Sequence, residues 1–233
     1  MMLSLNTSYF LLLASAAQRL CLGAAHHPEA ACESLLESFH STEDVTVNFA
    51  QYVPAGTNLT INQGEDLETC SGRSQVVPRD LCRVAMFVRT SPISNITLEA
   101  WLPTNWTGRF LSTGNGGTNG CISYGDIAYG TSLGFASVGA NNGHNGTSGE
   151  AFYQNTEVVA DFAYRSVHTG VIVGKEITKA YYEKEHHKSC TRKPQRIAPC
   201  ESTLTSIETR RLSWLLYGWP SGLQIGSRLP RRL

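Results

Sequence analysis

A glycine-rich segment carries the clearest chemical signal in this sequence. It reads Gly114-Asn-Gly-Gly-Thr-Asn-Gly120 and follows a short hydrophobic run. Glycines at this density leave backbone N–H groups uncovered by side chains, and such groups can bind an anion or stabilise a developing oxyanion. Gly116 and Gly117 are the best candidates for these donors. A purely structural glycine turn is the alternative interpretation.

Helices and strands on either side of this loop must hold it in place, and hydrophobic periodicity predicts where they lie in the sequence. We expect helices over residues 26–39, 124–133 and 158–185, and strands over residues 45–53, 81–89, 96–102, 110–113 and 135–139. The run at 135–139 is small and apolar, which is typical of a strand buried in a parallel sheet. Residues 57–82 look like a loop. Strands that alternate with helices after residue 96 predict an α/β fold with a parallel sheet.

Composition predicts one domain with an appendage. The chain has 233 residues, 41% of them apolar, and a formal net charge of zero. Such a balance gives no sign of a nucleic-acid or membrane partner. Residues 190–233 are different, because they contain eight Lys or Arg but two Glu and show no hydrophobic period. We therefore expect an irregular C-terminal tail there.

The N-terminus predicts secretion. A short apolar core from Tyr9 to Ala17, followed by small residues, is typical of a signal peptide over residues 1–25, although it lacks a basic start. A buried N-terminal helix is the alternative. Four N-x-S/T sequences beyond it agree with an extracellular, glycosylated protein. They lie at Asn58, Asn95, Asn105 and Asn145.

Seven cysteines also fit an oxidising compartment. Cys21 leaves with the signal peptide, and three pairings are open to the even set of Cys32, Cys70, Cys82 and Cys121. Two more, Cys190 and Cys200, lie in the unusual tail. Together with His186 and His187 they could suggest zinc, but their spacing fits no standard site, so we expect no metal.

Three segments together closely resemble the tannase and feruloyl esterase family. They are the glycine-rich loop, Phe135-Ala-Ser-Val-Gly-Ala-Asn-Asn-Gly-His-Asn-Gly146 and Asp161-Phe-Ala-Tyr-Arg-Ser-Val-His168. Family members are mostly secreted fungal α/β-hydrolases that act on phenolic esters of plant material. The resemblance covers residues 30–189 in order.

The resemblance implies a Ser-His-Asp mechanism through an acyl-enzyme, with one oxyanion donor in the loop after an early strand. It places that donor at Gly116 or Gly117. It also favours two disulfides, Cys32–Cys82 and Cys70–Cys121. Calcium binds in the family's lid domain, which has no counterpart here, so no cofactor is expected.

The nucleophile is expected to be missing. In the family, Lys188-Ser189 would be followed by a strand that ends in Gly-Cys-Ser-Thr-Gly-Gly-Arg-Gln-Gly, but Cys190-Thr-Arg-Lys-Pro stands here. If the codons of Trp214 to Ile225 are read in the frame that starts at their second base, they can encode this family sequence. Our hypothesis is that residues 190–211 translate an unspliced intron and 212–233 are esterase sequence in another frame.

These observations predict three parts: a signal peptide (1–25), the N-terminal part of an α/β-hydrolase domain (26–189) and an aberrant tail (190–233). The expected fold is an incomplete α/β-hydrolase, truncated before the nucleophile elbow. Without the Ser, Asp and His of the triad, this chain is expected to be inactive on its phenolic ester substrate. For His144 and His168 we expect solvated or helix-packing roles. The alternative function is a secreted, disulfide-bonded binding or structural protein without catalysis.

Overall fold

The computed structural model describes residues 27–62, 70, 73–193 and 196–197, with side chains up to residue 190. The predicted signal peptide and most of the tail therefore lie outside the described residues. Nine strands occur within them: β1 (Asp44–Val53), β2 (Asn58–Thr60), β3 (Ser74–Val76), β4 (Leu81–Ser91), β5 (Ser94–Pro103), β6 (Arg109–Thr113), β7 (Phe135–Ala140), β8 (Lys188–Lys193) and β9 (Arg196–Ile197). The helices are α1 (Pro28–Ser38), α2 (Tyr124–Ser132), α3 (Thr156–Ala160) and α4 (Ser166–Tyr182).

Over the described part of the chain, seven strands form one mixed sheet in the order β1-β4-β5-β7-β6-β8-β9. The first three are joined as antiparallel neighbours, and β7 also runs antiparallel to β5. Only β6, β7 and β8 are mutually parallel. The parallel sheet predicted after residue 96 is therefore right for β6, β7 and β8 and wrong for β5, which runs antiparallel to β7. A tight turn after β4 reverses the chain directly into β5, whereas a parallel pair needs a long crossover.

Two hydrophobic layers cover the sheet. Alternate residues of a strand point to opposite faces, so the even positions of β4 from Cys82 to Val88 pack beneath α1 and α4. The odd position Leu81 instead joins Trp101 and helix α2 on the other face. Residues 57–82, predicted as a loop, contain the small antiparallel pair β2 and β3.

The long helical pattern predicted over residues 158–185 is present but interrupted. α3 passes into one π-helical turn, Asp161–Arg165, before α4 begins. A π turn inserts an extra residue into the helical repeat, and such turns often occur near functional sites. Here it places Asp161 at the carboxyl end of the central strands, as shown below.

Strand β8 crosses the expected boundary at residue 190. Residues 188–192 pair in parallel with Arg109 to Thr113 of β6. The expectation of an irregular tail is therefore wrong for residues 190–193. Ladder hydrogen bonds join backbone groups, so the open side of β6 accepts a strand whatever its side chains.

Candidate functional site

The glycine-rich loop, residues 114–120, begins where β6 ends. The N–H of Asn119 donates to the carbonyl oxygen of Gly116 at 3.2 Å and closes a four-residue turn. Gly117 lies in this turn with a φ of +60° and open space where a Cβ would stand. Its backbone angle, and not lack of room, is therefore the reason for glycine at this position.

The amides of Gly116 and Gly117 are accessible. Both residues are exposed, and neither N–H donates a hydrogen bond to any residue that the structure describes. Two free backbone donors beside each other at the end of a strand can stabilise negative charge on oxygen. The predicted oxyanion donors therefore have suitable surroundings.

A second loop, residues 141–149, holds the first one in place. It follows β7, whose carboxyl end lies beside that of β6 because the two strands are parallel. Five hydrogen bonds join the glycine-rich loop to β7 and this loop: Asn115 Nδ2 to Ala140 O (2.9 Å), Thr118 Oγ1 to Thr147 O (3.0 Å), His144 Nε2 to Thr118 O (2.9 Å), Asn142 Nδ2 to Asn119 O (3.3 Å) and Gly120 N to Gly146 O (2.7 Å). The donors of the turn thus stay free while the rest of the loop is anchored.

His144 does not have the solvated position that was considered for it. Its residue is 6% exposed, and its ring meets Phe152 and Phe162 at centroid distances of 4.8 and 5.9 Å, both edge-on. Gly120 packs so closely that a Cβ there would lie 2.3 Å from the carbonyl oxygen of His144. In contrast, His168 is exposed on α4.

Asp161 is the most buried charged group near the two loops. Its side chain is fully buried and accepts hydrogen bonds from Thr90 Oγ1, Ser94 Oγ and Arg165 Nε. The ion pair with Arg165 spans 2.7 Å. A Cβ on Gly143 would lie 2.5 Å from that of Asp161, so the second loop packs directly against this side chain.

Helix α2 fixes the exit from the glycine-rich loop. Its first residue, Tyr124, donates to the buried carboxylate of Glu99 at 2.7 Å, and Arg83 pairs with the same carboxylate. Burial, with the nearby charge of Glu99, raises the pKa of Tyr124 well above its usual range. The hydroxyl therefore stays protonated and keeps donating.

One G-x-S-x-G spacing does occur in the sequence, at Gly130-Thr-Ser-Leu-Gly134. The structure shows that it is not a nucleophile elbow, because Ser132 ends helix α2 instead of standing between a strand and a helix. The hydroxyl of Ser132 donates to Tyr129 O. The next carbonyl, of Leu133, accepts from Arg109 at the amino end of β6, so the segment lies at the opposite edge from the glycine-rich loop.

The structure contains both disulfides that the resemblance implies. Cys32–Cys82 joins α1 to β4, with 5.5 Å between the Cα atoms. Cys70–Cys121 spans 5.6 Å and ties the end of the glycine-rich loop to the segment between β2 and β3. The loop is therefore anchored covalently at one end.

No metal centre is found among the residues that the structure describes. Cys190 is buried and disulfide-bonded, so it cannot offer a thiolate to zinc. His186 is half-buried beside Phe110, while Cys200 lies outside the described residues. The expected absence of a cofactor stays a prediction.

The four predicted glycosylation sites are all exposed. The side-chain oxygen of Asn145 accepts from Asn141 Nδ2 at 3.1 Å, and its own amide nitrogen, to which a glycan attaches, stays free of that contact. Within the part of the chain described, no helix is long and apolar enough to cross a membrane.

The anchoring residues of the site could not be found by pattern alone. Of these, Asn115 and His144 lie in Gly- and Asn-rich stretches, which predict loops and nothing about their partners. One usable signal was the order strand, glycine loop, helix, small-residue strand, polar loop. Parallel strands end at the same edge of a sheet, so that order brings the two loops together.

The fold and the loops define a class: a mixed sheet with helices of the α/β-hydrolase type, with a glycine-rich loop after a central strand. Residues 82–191 match the family model "Tannase and feruloyl esterase". This segment of the chain belongs to the tannase and feruloyl esterase family.

Similar proteins agree with this assignment. The probable feruloyl esterase B-2 of Aspergillus terreus is 60% identical over 161 residues, which are 69% of this chain and 30% of the relative. An esterase from Aspergillus oryzae superposes with a TM-score of 0.66 at 56% identity, over 70% of this chain and 32% of that one. Feruloyl esterase B from the same organism gives 0.65 at 50% identity over the same shares. The chain thus spans about a third of the length of these relatives.

Proposed function

We propose that this chain carries the oxyanion-binding half of an ester hydrolase site that acts on feruloyl or related aromatic esters. The observation that carries the proposal is the pair of free amides at Gly116 and Gly117, on a loop anchored at the carboxyl end of β6. In the transition state, a carbonyl oxygen of the ester gains negative charge. Two preorganised N–H donors stabilise that charge more than they stabilise the neutral ester.

We further propose that the 233-residue chain itself does not hydrolyse esters. Acyl transfer needs a serine on a strand-to-helix turn, a histidine to accept its proton and an acid to orient that histidine. Strand β8 occupies the parallel position next to β6, but from Cys190 onward its sequence is not that of the family strand that ends in the nucleophile sequence. The serine at Ser132 stands at the wrong edge of the sheet.

A matched pair of proteins tests both statements. One is the chain as given. The other is translated to the end of the message after removal of the proposed intron, which begins inside codon 190 and ends inside codon 211, so that the downstream sequence is read in the other frame. We expect the first to leave methyl ferulate unchanged and the second to release ferulate. Replacement of the restored serine by alanine should abolish the release.

The transcript supplies an independent measurement. Sequencing across codons 189–213 should show a spliced form whose frame encodes Gly-Cys-Ser-Thr-Gly-Gly. A message that is continuous across this region in every transcript contradicts the proposed intron. Ester hydrolysis by the unaltered chain contradicts the proposed inactivity.

The second candidate function is that of a secreted binding or structural protein without catalytic activity. It is favoured by the integration of residues 190–193 into β8 and by the disulfide-bonded state of Cys190, since both are features of a folded segment. A continuous message, together with an inactive protein that is secreted and stable, would favour this candidate.

A further inference from the structure

We propose that His144 is a positioning residue that sets the direction of the Gly116 and Gly117 amides. The proposal rests on the proposed function, because it assumes that these amides bind the oxyanion. In this proposal the buried His144 takes no part in proton transfer. Its role depends on a single hydrogen bond. The Nε2 atom of His144 lies 2.9 Å from the carbonyl oxygen of Thr118.

The chemical nature of the acceptor shows which ring nitrogen of His144 carries the proton. A carbonyl oxygen only accepts hydrogen bonds, so the proton must lie on Nε2 and the ring donates. The other ring nitrogen, Nδ1, is buried and has no hydrogen-bond partner. His144 therefore makes one polar side-chain contact within the described structure, and that contact is with the oxyanion loop.

The contact controls a peptide plane. The carbonyl of Thr118 and the N–H of Asn119 belong to the same planar peptide unit. His144 holds the carbonyl end, while the N–H end donates to Gly116 O and closes the turn. With both ends held, the peptide cannot rotate, and the turn that displays the two glycine amides keeps one geometry.

The ring of His144 is itself firmly supported. Phe152 and Phe162 pack against it and against each other, with 4.9 Å between their ring centroids. Phe162 lies in the π turn whose first residue is the buried Asp161. The imidazole that holds Thr118 is thus packed against an aromatic pair, and one member of that pair directly follows the buried Asp161 in the chain.

Amide hydrogen exchange in the full 233-residue chain tests the proposal. His144→Phe keeps an aromatic ring between the two phenylalanines but removes the donor. We expect the Asn119 amide, which closes the turn, to exchange about tenfold faster, because loss of one hydrogen bond favours local opening. Amides in β4 and β5 should keep their rates.

Two further variants make the test specific. His144→Gln retains an N–H donor at a similar reach and should bring the Asn119 rate back to within about threefold of the original. His168→Gln changes an exposed histidine on α4 and should alter neither region.

The proposal is overturned if the Asn119 rate does not change in His144→Phe, or if all amides accelerate together. The second result would mean that His144 contributes only to global stability. These rates are measured without substrate, so an inactive product of the spliced message would count against the proposed function and leave this result intact.

Discussion

At the scale of single residues, the candidate site depends on glycines that differ in their backbone requirements. Gly117 has a left-handed φ of +60°, whereas Gly114 has no such angle, and neither has a neighbour within 4 Å of an added Cβ. An added Cβ is not crowded at either position. A comparison of the two therefore measures the cost of the backbone conformation alone.

We expect Gly117→Ala to lower the free energy of unfolding by about 1 kcal/mol, because an L-residue is strained in the left-handed region. Gly114→Ala should stay within about 0.5 kcal/mol of the parent. Urea denaturation at neutral pH measures both. Equal losses in the two variants would contradict the conformational explanation.

A second residue-scale prediction compares a buried ion pair with an exposed one. Asp161→Asn removes the charge that faces Arg165 and should cost about 3 kcal/mol, because it leaves a half-buried guanidinium less compensated. Asp44→Asn removes the charge that faces Arg89, and both of these side chains are more than half exposed. We therefore expect this variant to lower the free energy of unfolding by less than about 1 kcal/mol. Chemical denaturation of both variants checks this, and a similar loss in both would show that burial of Asp161 is not decisive.

At the scale of elements, the two disulfides close loops of nearly equal length but hold different parts of the molecule. Their sequence separations are 50 and 51 residues. One joins α1 to the sheet, and the other ends at the glycine-rich loop. Because the two loops are equally long, the two bonds should lower the entropy of the unfolded chain equally. Because they lie at different places in the fold, their loss should loosen different parts of the folded protein.

Each pair of cysteines changed to serine should therefore lower the free energy of unfolding by about 4 kcal/mol in the chain-entropy model. Only the double variant at Cys70 and Cys121 should speed amide exchange in residues 118–121. Non-reducing peptide mapping of the parent must first show the two bonds; linkage of Cys32 to Cys70 would contradict the prediction.

At the scale of the whole molecule, the chain spans about a third of the length of its relatives, and in its described part antiparallel strands are joined to three parallel strands. Secretion and glycosylation are predictions for the chain as a whole. They are based on the sequence of residues 1–25 and on four asparagines that are exposed in the structure.

Expression in a fungal secretory host should give a protein in the medium whose N-terminus lies near His26. Enzymatic removal of N-linked glycans should lower its mass by up to four glycan units, and the variant with all four asparagines changed to glutamine should show no shift. Recovery of a secreted chain that still carries residues 1–25 would contradict the predicted signal peptide.

Much of the fold follows from local patterns. Alternation identified β1, and the 3.6-residue period identified α4, because each of these two elements buries one face. The π turn at Asp161–Arg165 was missed, since one extra residue barely disturbs a helical pattern. The antiparallel contact of β5 with β7 was also missed, because it pairs segments far apart in the chain.

By itself, the sequence was enough to predict the family, to place Gly116 and Gly117 in a glycine-rich loop and to locate the four sequons. These depend on residue types in short segments, whose backbone preferences are local. Only the tertiary structure decided that Ser132 lies at the wrong edge, that residues 190–193 extend the sheet, and that His144 holds Thr118. Such facts depend on which strand ends meet in space, and that is settled by packing of the whole sheet and not by any one segment.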